Sequence, residues 1–469
     1  MSQDFYIKKN SFKQSVFKYK LFKYSFTNFK YFPMSKHHQL LIIGGGTAGI
    51  MVASQIQKAN PNIDIALIEP AETHYYQPAW TLVGANTYDF EKTGRSMASL
   101  IPAGVSWIKE YAEKLDPENN MVVTKGGNQF TYDYLVVCPG LRMAPELVEG
   151  LTEAMDKGVV CSNYTNPKHT WETLKNFKGG TALFTMPTTP IKCGGAPQKI
   201  MYLADEHYKN SGVRNKTDIV FAIPGGVIFA VKPIAKTLMT VIDKKDINIR
   251  FFHKLVKVDA DKKIAWYELA KDLDAGGCVV MSDDDSKTLD KEIQYNYKDV
   301  KVTKEGERFG IHFDMMHLAP PQASPKFIAE SALATPEGWL FVDDKTMQHK
   351  KFNNVFGLGD VAQLPTAKTG AAIRKQAPVV VANLLKMIEN NTITNKTYDG
   401  YSSCPLVTGY GKMVLAEFDY SKEFKPDPKL KQFPMLIDDS SKEHWRLWIL
   451  KKYLLPYLYW NKMMKGVNV

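Results

Sequence analysis

The run Gln39-Leu40-Leu41-Ile42-Ile43-Gly44-Gly45-Gly46-Thr47-Ala48-Gly49 constrains the fold more than any other part of the chain. Gln39 to Ile43 has strand character, the spacing G-x-G-x-x-G follows at once, and residues 50–58 read as a helix. Ile63 to Ile68 reads as a second strand and ends on an acid, Glu69, about twenty positions beyond the last glycine. Each residue has a task in that setting. Gly44 makes the tight turn, Gly46 lets backbone approach a pyrophosphate, and Gly49 lets helix and strand touch. The helix start offers aligned N–H donors to the phosphates. Glu69 accepts from an unphosphorylated ribose, which selects FAD or NAD.

Later stretches choose between the two. Asn354 to Asp360 is a short strand ending in Gly359-Asp360, the pattern with which two-dinucleotide flavoproteins return to the flavin, so FAD is expected, with Asp360 at the ribityl chain. Tyr132 to Gly140 looks like the middle motif of that superfamily, with Cys138-Pro139 in place of the usual Ala-Thr. A buried cysteine near the domain edge is expected there. Asp218 to Ile223 and Ile247 to Phe252 are the strands of a second unit, but the loop Pro224-Gly225-Gly226-Val227-Ile228-Phe229 lacks the third glycine and no acid follows. A Rossmann frame without a phosphate cradle disfavours a nicotinamide donor. At 469 residues the chain exceeds a single core. The expected fold is α/β, with two interleaved Rossmann-like dinucleotide-binding domains plus a C-terminal membrane-docking region.

The net charge of +11 suits nucleic acid or an anionic membrane until it is located. Part of it lies in residues 1–37, where eight lysines face one acid among Phe, Tyr, Ser and Asn. Such a leader reads as an organelle transit peptide or as a disordered basic tail. No zinc-finger or RNA-binding motif is present, so nucleic acid is not expected as a partner. The five cysteines form no C-x-x-C pair and no even framework, so neither a zinc site nor a disulfide scaffold is expected, and no metal. Cys278 heads a charge-rich segment, residues 271–308, that reads as a solvated surface insertion.

One cysteine stands on an unusual turn. Cys193 lies between Pro190 and the sequence Gly194-Gly195-Ala196-Pro197, flanked by Lys192 and Lys199. Backbone bends tightly there, and nearby positive charge favours thiolate. A reactive thiol and a small buried hydrophobe both fit these residues. From Glu443 the chain is rich in Trp, Leu and Tyr with interspersed lysines, and Pro456 is expected to break the helix in two. That composition fits a helix lying in the headgroup region or one packed on the protein's own core. No run approaches the ~18 apolar residues of a membrane span.

Taken with His74 to Gly84, Pro190 to Leu203, Leu364 to Thr369 and Tyr398 to Tyr410, these motifs resemble the sulfide:quinone oxidoreductases, in particular the mitochondrial branch, over residues 38–465. The resemblance implies that Cys193 and Cys404 form a redox pair beside FAD. Hydrogen sulfide would attack one sulfur, leaving a persulfide on Cys404 and a thiolate on Cys193. The sulfane sulfur would go to glutathione or sulfite and the electrons to ubiquinone. Lys199 and Lys368 would stabilise the thiolate or the reduced flavin. Thr47, Ala48, Gln77 and Ala112 are expected as further flavin contacts, and Phe418, Tyr420 and Tyr410 as quinone-ring contacts. Cys161 is expected to be structural. The implied location is the matrix face of the inner mitochondrial membrane, with a homo-oligomeric state left open. Expected divisions are a leader at 1–37, FAD-binding parts at 38–160 and 316–400, the degenerate unit at 161–315 and the docking region at 401–469. The alternatives are a non-proton-pumping NADH:quinone oxidoreductase and a flavin-bearing interaction protein without turnover.

Overall fold

The computed structural model describes residues 36–270, 294–427 and 437–468. Residues 1–35 of the expected leader, Cys278 and the first part of the charged segment lie outside the described residues, while Lys36 and His37, expected in the leader, begin the first strand. Leu40, Leu41, Ile42 and Ile43 are buried on both faces, as the centre of a parallel sheet requires. Their strand, Lys36–Ile43, pairs in parallel with Ile65–Ile68 on one side and Gln129–Val137 on the other. Val105–Ile108 extends the first side. Val355–Gly357 returns from far along the chain to lie parallel to Leu135–Val137. The strands Ala112–Asp116 and Met121–Thr124 complete the sheet as an antiparallel hairpin. The first helix spans Thr47–Ala59, three residues earlier than its apolar pattern shows, because the extended Gly46 lets helical geometry begin directly after the turn.

A second sheet has the order Val160–Cys161, Met315–Leu318, Gly180–Thr185, Thr217–Ala222, Asn248–Arg250 and Gln294–Tyr295, parallel except for the last strand. In its glycine-poor loop, Ile228 and Phe229 are buried, and the Ile228 carbonyl accepts from Gln198 Nε2 at 2.7 Å. Core side chains thus occupy the place of a phosphate cradle. The charged segment is not wholly an insertion. Gln294–Tyr295 forms the edge of this sheet, and Val302–Glu305 pairs with Arg308–His312 in a separate four-stranded sheet with His253–Asp259 and Ile264–Leu269. Its charges sit on the solvent face while Ile311 points inward.

Three elements join the two units. The helix Ala196–Asn210 carries Lys199 and is tied to its surroundings by Asp205, which is fully buried and held by Arg214 Nε at 2.7 Å and Lys245 Nζ at 2.9 Å. The hairpin of Ser402–Gly409 and Lys412–Phe418 packs on that helix. The helix Gly370–Asn390 packs on Thr47–Ala59, capped by Thr369, whose hydroxyl accepts from the Ala372 amide. Among the described residues no helix is long and apolar enough to cross a membrane.

Candidate active site

All the joints between these elements open into one cavity of about 1330 Å³. The glycine turn forms one end. Gly44 has φ +103°, and a Cβ there would lie 2.5 Å from the Cys138 carbonyl oxygen. A Cβ on Gly49 would lie 1.9 Å from the Gly44 oxygen, so helix and turn touch only because both residues are glycine. Gly46 differs, since a Cβ there would meet nothing within 4 Å. Glu69 accepts from the Gly45 and Ala71 amides, each at 2.7 Å, which fixes the carboxylate at the rim. Gly46, Thr47, Ala48, Glu69, Gln77, Asp360 and Lys368 all line the cavity, and Gly370 opens a second helix N-terminus onto it. Two helix starts on the cavity, that of Thr47–Ala59 without a side-chain cap, an acid at the ribose position and unfilled space between them fit FAD. Ala112 does not join this set. It lies in the antiparallel hairpin opposite Thr124, packed against the sheet core away from the cavity. Cys138 is not at a domain edge either, because its strand is central and its thiol, 3.6 Å from the Gly44 oxygen, sits beneath the glycine turn.

Cys193 stands at the middle of the cavity wall with φ +51°, a left-handed conformation that costs a non-glycine residue of order 1 kcal/mol or more. Its neighbours over-determine that conformation. The Cys193 amide donates to Lys368 O at 2.8 Å, and its carbonyl accepts from Tyr164 OH at 3.0 Å and from the Ala196 amide at 2.8 Å. The helix Ala196–Asn210 starts immediately afterwards, with proline in its first turn, so its positive end faces the thiol. Cys404 arrives from the strand Ser402–Gly409. Gly195 makes room for it: a Cβ there would lie 2.8 Å from Cys404 Sγ and 2.4 Å from Leu406 Cδ2. The Cys404 side chain hydrogen-bonds both Cys193 and Lys199. Lys199 Nζ lies 3.0 Å from Cys193 Sγ. The Cys404 hydrogen bond, opposed by burial and joined by the Lys199 charge, holds the Cys193 thiol well below its ordinary pKa. Burial works against the Lys199 charge, but Cys193 and Cys404 outweigh it and keep the ammonium protonated.

The other expected cations turn elsewhere. Lys368 donates to the carbonyls of Asp360 at 2.7 Å and Ala362 at 2.9 Å and lies 4.1 Å over the Trp339 ring, so it clamps the Gly359–Val361 turn. Burial lowers its pKa to about 8. Lys192 Nζ donates to Gln77 Oε1. Cys138 and Cys161 are inert by comparison: burial raises both thiols, that of Cys161 to about 12.

The C-terminal segment forms the remaining wall. It runs as α-helix Trp445–Ile449, a π-helical stretch Leu450–Leu454 and α-helix Leu455–Asn461. Pro456 therefore does not break it; the widened turn accommodates the missing proline donor. Tyr459 locks the segment to the glycine turn. His74 Nδ1 lies 3.1 Å from the Gly45 carbonyl and must donate to it, so Nε2 accepts from Tyr459 OH at 2.5 Å, while Thr47 Oγ1 lies 2.7 Å from the same hydroxyl. Lys451, which nothing in the amino-acid pattern marks, is 3% exposed, donates to Pro78 O at 2.8 Å and lines the cavity. Burial and then Lys199 lower its pKa to about 7. Trp445, Ile449, Tyr453, Leu454 and Tyr457 are each between 44% and 60% exposed; Trp445, Ile449 and Leu454 also line the cavity, while Tyr453 and Tyr457 do not. The expected quinone contacts lie elsewhere: Phe418 packs on Phe229, Tyr420 donates to Asp344 O at 2.7 Å, and Tyr410 lies 3.4 Å from Ala85 O. Ile437, Trp445, Ile449, Leu454 and Leu458 line the cavity instead.

Comparison with known proteins agrees with this geometry. Residues 38–176 match the family model of pyridine nucleotide-disulphide oxidoreductases. The chain is 37% identical to the mitochondrial sulfide:quinone oxidoreductase of Mus musculus over 92% of its own length and 87% of the relative's. It is 39% identical to that of Dictyostelium discoideum, over 91% and 86%. The crystal structure of the Aquifex aeolicus sulfide:quinone oxidoreductase shares the fold, with a TM-score of 0.68 at 20% identity over 92% of both chains. The NADH complex of NDH2 from Plasmodium falciparum is more distant, at 0.57 and 11% over 90% of this chain and 98% of that one. With identity above a third across nine-tenths of its length, the chain belongs to the mitochondrial sulfide:quinone oxidoreductase family.

Proposed function

We infer that the chain oxidises hydrogen sulfide and reduces a quinone, with Cys193 and Cys404 as the sulfur-handling pair. The observation that carries this reading is the meeting of the Cys193 and Cys404 side chains with the buried Lys199 ammonium, where Cys193 and Lys199 line a cavity that begins at the glycine turn. In the oxidised pair, HS⁻ attacks the Cys404 sulfur, the disulfide bond breaks, and Cys193 leaves as a thiolate that Lys199 and the helix N-terminus stabilise. Cys404 then carries the persulfide. A small sulfur acceptor, glutathione or sulfite, removes the sulfane sulfur and returns Cys404 to a thiolate. FAD, which Gly46, Thr47, Ala48, Glu69 and Asp360 would hold, would supply the two-electron chemistry that couples re-formation of the cysteine bond to reduction of the quinone. The net change with a thiol acceptor is RSH + H₂S + quinone → RSSH + quinol.

The apolar wall from Ile437 to Leu458 receives the ubiquinone ring, and the exposed aromatic stripe from Trp445 to Tyr457 rests in the lipid headgroups at the matrix face of the inner membrane. NADH is not the donor, since Ile228 and Phe229 fill the second nucleotide loop. Anaerobic mixing of the FAD-loaded protein with sulfide tests the reading. Flavin bleaching is expected in the unaltered chain and not in Cys193→Ser or Cys404→Ser, with no bleaching by NADH. Unimpaired sulfide-driven bleaching in both variants would overturn it.

A further inference from the structure

We propose that Glu417 is the acid that protonates the quinone as it is reduced in this cavity, with Tyr401 and Arg374 as the residues that position it. The inference rests on the assignment of the cavity to the quinone. Alternation along the hairpin separates two chemistries. Cys404 pairs in register with Ala416, and that face meets the helix bearing Lys199. Ser403 pairs with Glu417, and with Pro405 and Leu415 they form the opposite face, which lines the cavity. Glu417 is 2% exposed, and a carboxyl is rarely retained at such depth without a task. Its Oε1 accepts from Tyr401 OH at 2.6 Å and its Oε2 from the Asp427 amide at 3.0 Å. Arg374 Nη2 donates to the same phenol at 2.9 Å, and its buried Nε has no partner. Arg374, Tyr401 and Asp427 also line the cavity.

Charges face the carboxyl from every element packed on it. Arg374 and Lys375 come from the helix Gly370–Asn390, the latter 5.4 Å from the Tyr401 ring. Asp427 lies 3.7 Å from Arg374, Lys425 pairs with Asp419 in the same loop, and Arg446 lines the cavity from the C-terminal helix. Burial raises the carboxyl pKa, the Tyr401 and Asp427 hydrogen bonds and the Arg374 charge oppose it, and the Asp427 charge adds to it. A buried carboxyl whose pKa is raised thus stands beside an apolar pocket. Reduction of a quinone takes two electrons, which the flavin supplies, and two protons. Glu417 gives one proton to a carbonyl oxygen, is left as a carboxylate held by Tyr401 and the Asp427 amide, regains a proton from water at the cavity mouth, and gives the second.

The test uses the full, FAD-loaded chain, reduced by sulfide and reoxidised in rapid mixing, with flavin absorbance as the readout. Glu417→Gln should slow reoxidation by a short-chain ubiquinone on the order of a hundredfold and abolish the fall of that rate with rising pH. Reoxidation by ferricyanide, which takes no proton, should keep its rate. Tyr401→Phe removes a hydrogen bond that favours the carboxylate, so the pH at which the quinone rate falls should move upward. A Glu417→Gln chain with the unaltered quinone rate and pH profile overturns the proposal. So does an equal slowing with ferricyanide, which marks a structural role. If Glu417→Gln does not hold FAD, an unmoved pH profile in Tyr401→Phe overturns it instead. Leu458→Trp, in the cavity wall, separates the two readings: a raised quinone KM supports the pocket whatever Glu417→Gln does, and an unchanged KM removes the pocket and the proposal together.

Discussion

Replacing Lys199 by Met should raise the pKa of Cys193 and slow its alkylation. The ammonium lies 3.0 Å from the sulfur, and both groups line the same cavity wall. A hydrogen bond to a charged group contributes roughly 1.5–3 kcal/mol, and one pKa unit corresponds to about 1.4 kcal/mol. The sign follows from which form is stabilised: Lys199 favours the thiolate, so its loss favours the thiol and lifts the pKa. The hydrogen bond from Cys404, the larger influence on Cys193, survives the substitution, so the shift is partial. The assay is alkylation of the dithiothreitol-reduced protein by iodoacetamide across pH, read by peptide mass spectrometry. Cys138 and Cys161, whose thiols burial raises, serve as unreactive internal controls. At a pH below both midpoints, the Cys193 rate should fall by about ten- to a hundredfold. Identical alkylation midpoints with and without Lys199 would refute the electrostatic argument.

Other substitutions test the remaining contacts. Gly195→Ala places a methyl 2.8 Å from Cys404 Sγ and 2.4 Å from Leu406, so it should cost about 1–3 kcal/mol in denaturant unfolding and slow flavin bleaching by sulfide. Gly49→Ala collides with the Gly44 carbonyl at 1.9 Å and should yield protein depleted in FAD, measured as flavin released per polypeptide. Lys451 has a folded pKa of about 7 against an unfolded value near 10.4. Between those values the unfolded chain binds the extra proton, so Lys451 makes stability rise with pH by about 1.4 kcal/mol per unit. Lys451→Met should flatten that slope in denaturant titrations from pH 7 to 10. Tyr453→Glu with Tyr457→Glu should lower binding to vesicles of phosphatidylcholine and phosphatidylglycerol at least tenfold in co-sedimentation, since each exposed ring offers about 1.5–3 kcal/mol on burial.

What could be read without coordinates followed from how local each constraint was. Gly44 and Gly49 are legible because a left-handed φ and a 1.9 Å approach exclude every side chain within a few residues of one another. The Cys193 turn is legible for the same reason, since Pro190, Gly194, Gly195 and Pro197 punctuate it locally. Cys404 is different. Nothing in Ser402–Gly409 marks its partner; the family resemblance supplied it, and the packing of that hairpin on the helix Ala196–Asn210 brings the thiols together. The expected quinone contact Phe418 turns away from the cavity on strand parity. Phe418 shares the face of Cys404 and Ala416, and packs on Phe229, whereas Glu417 shares the face of Ser403.

Lys451 was hidden by the residues around it. The lysines of an aromatic-rich amphipathic segment read as headgroup contacts. Lys451 follows the buried Leu447 by four residues, so it shares that inward face and reaches Pro78, while Lys452 remains beside Trp448 and Tyr453. The helix that exposes Tyr453 and Tyr457 thus also places Lys451 in the cavity, where its charge helps hold the Cys193 thiol below its ordinary pKa.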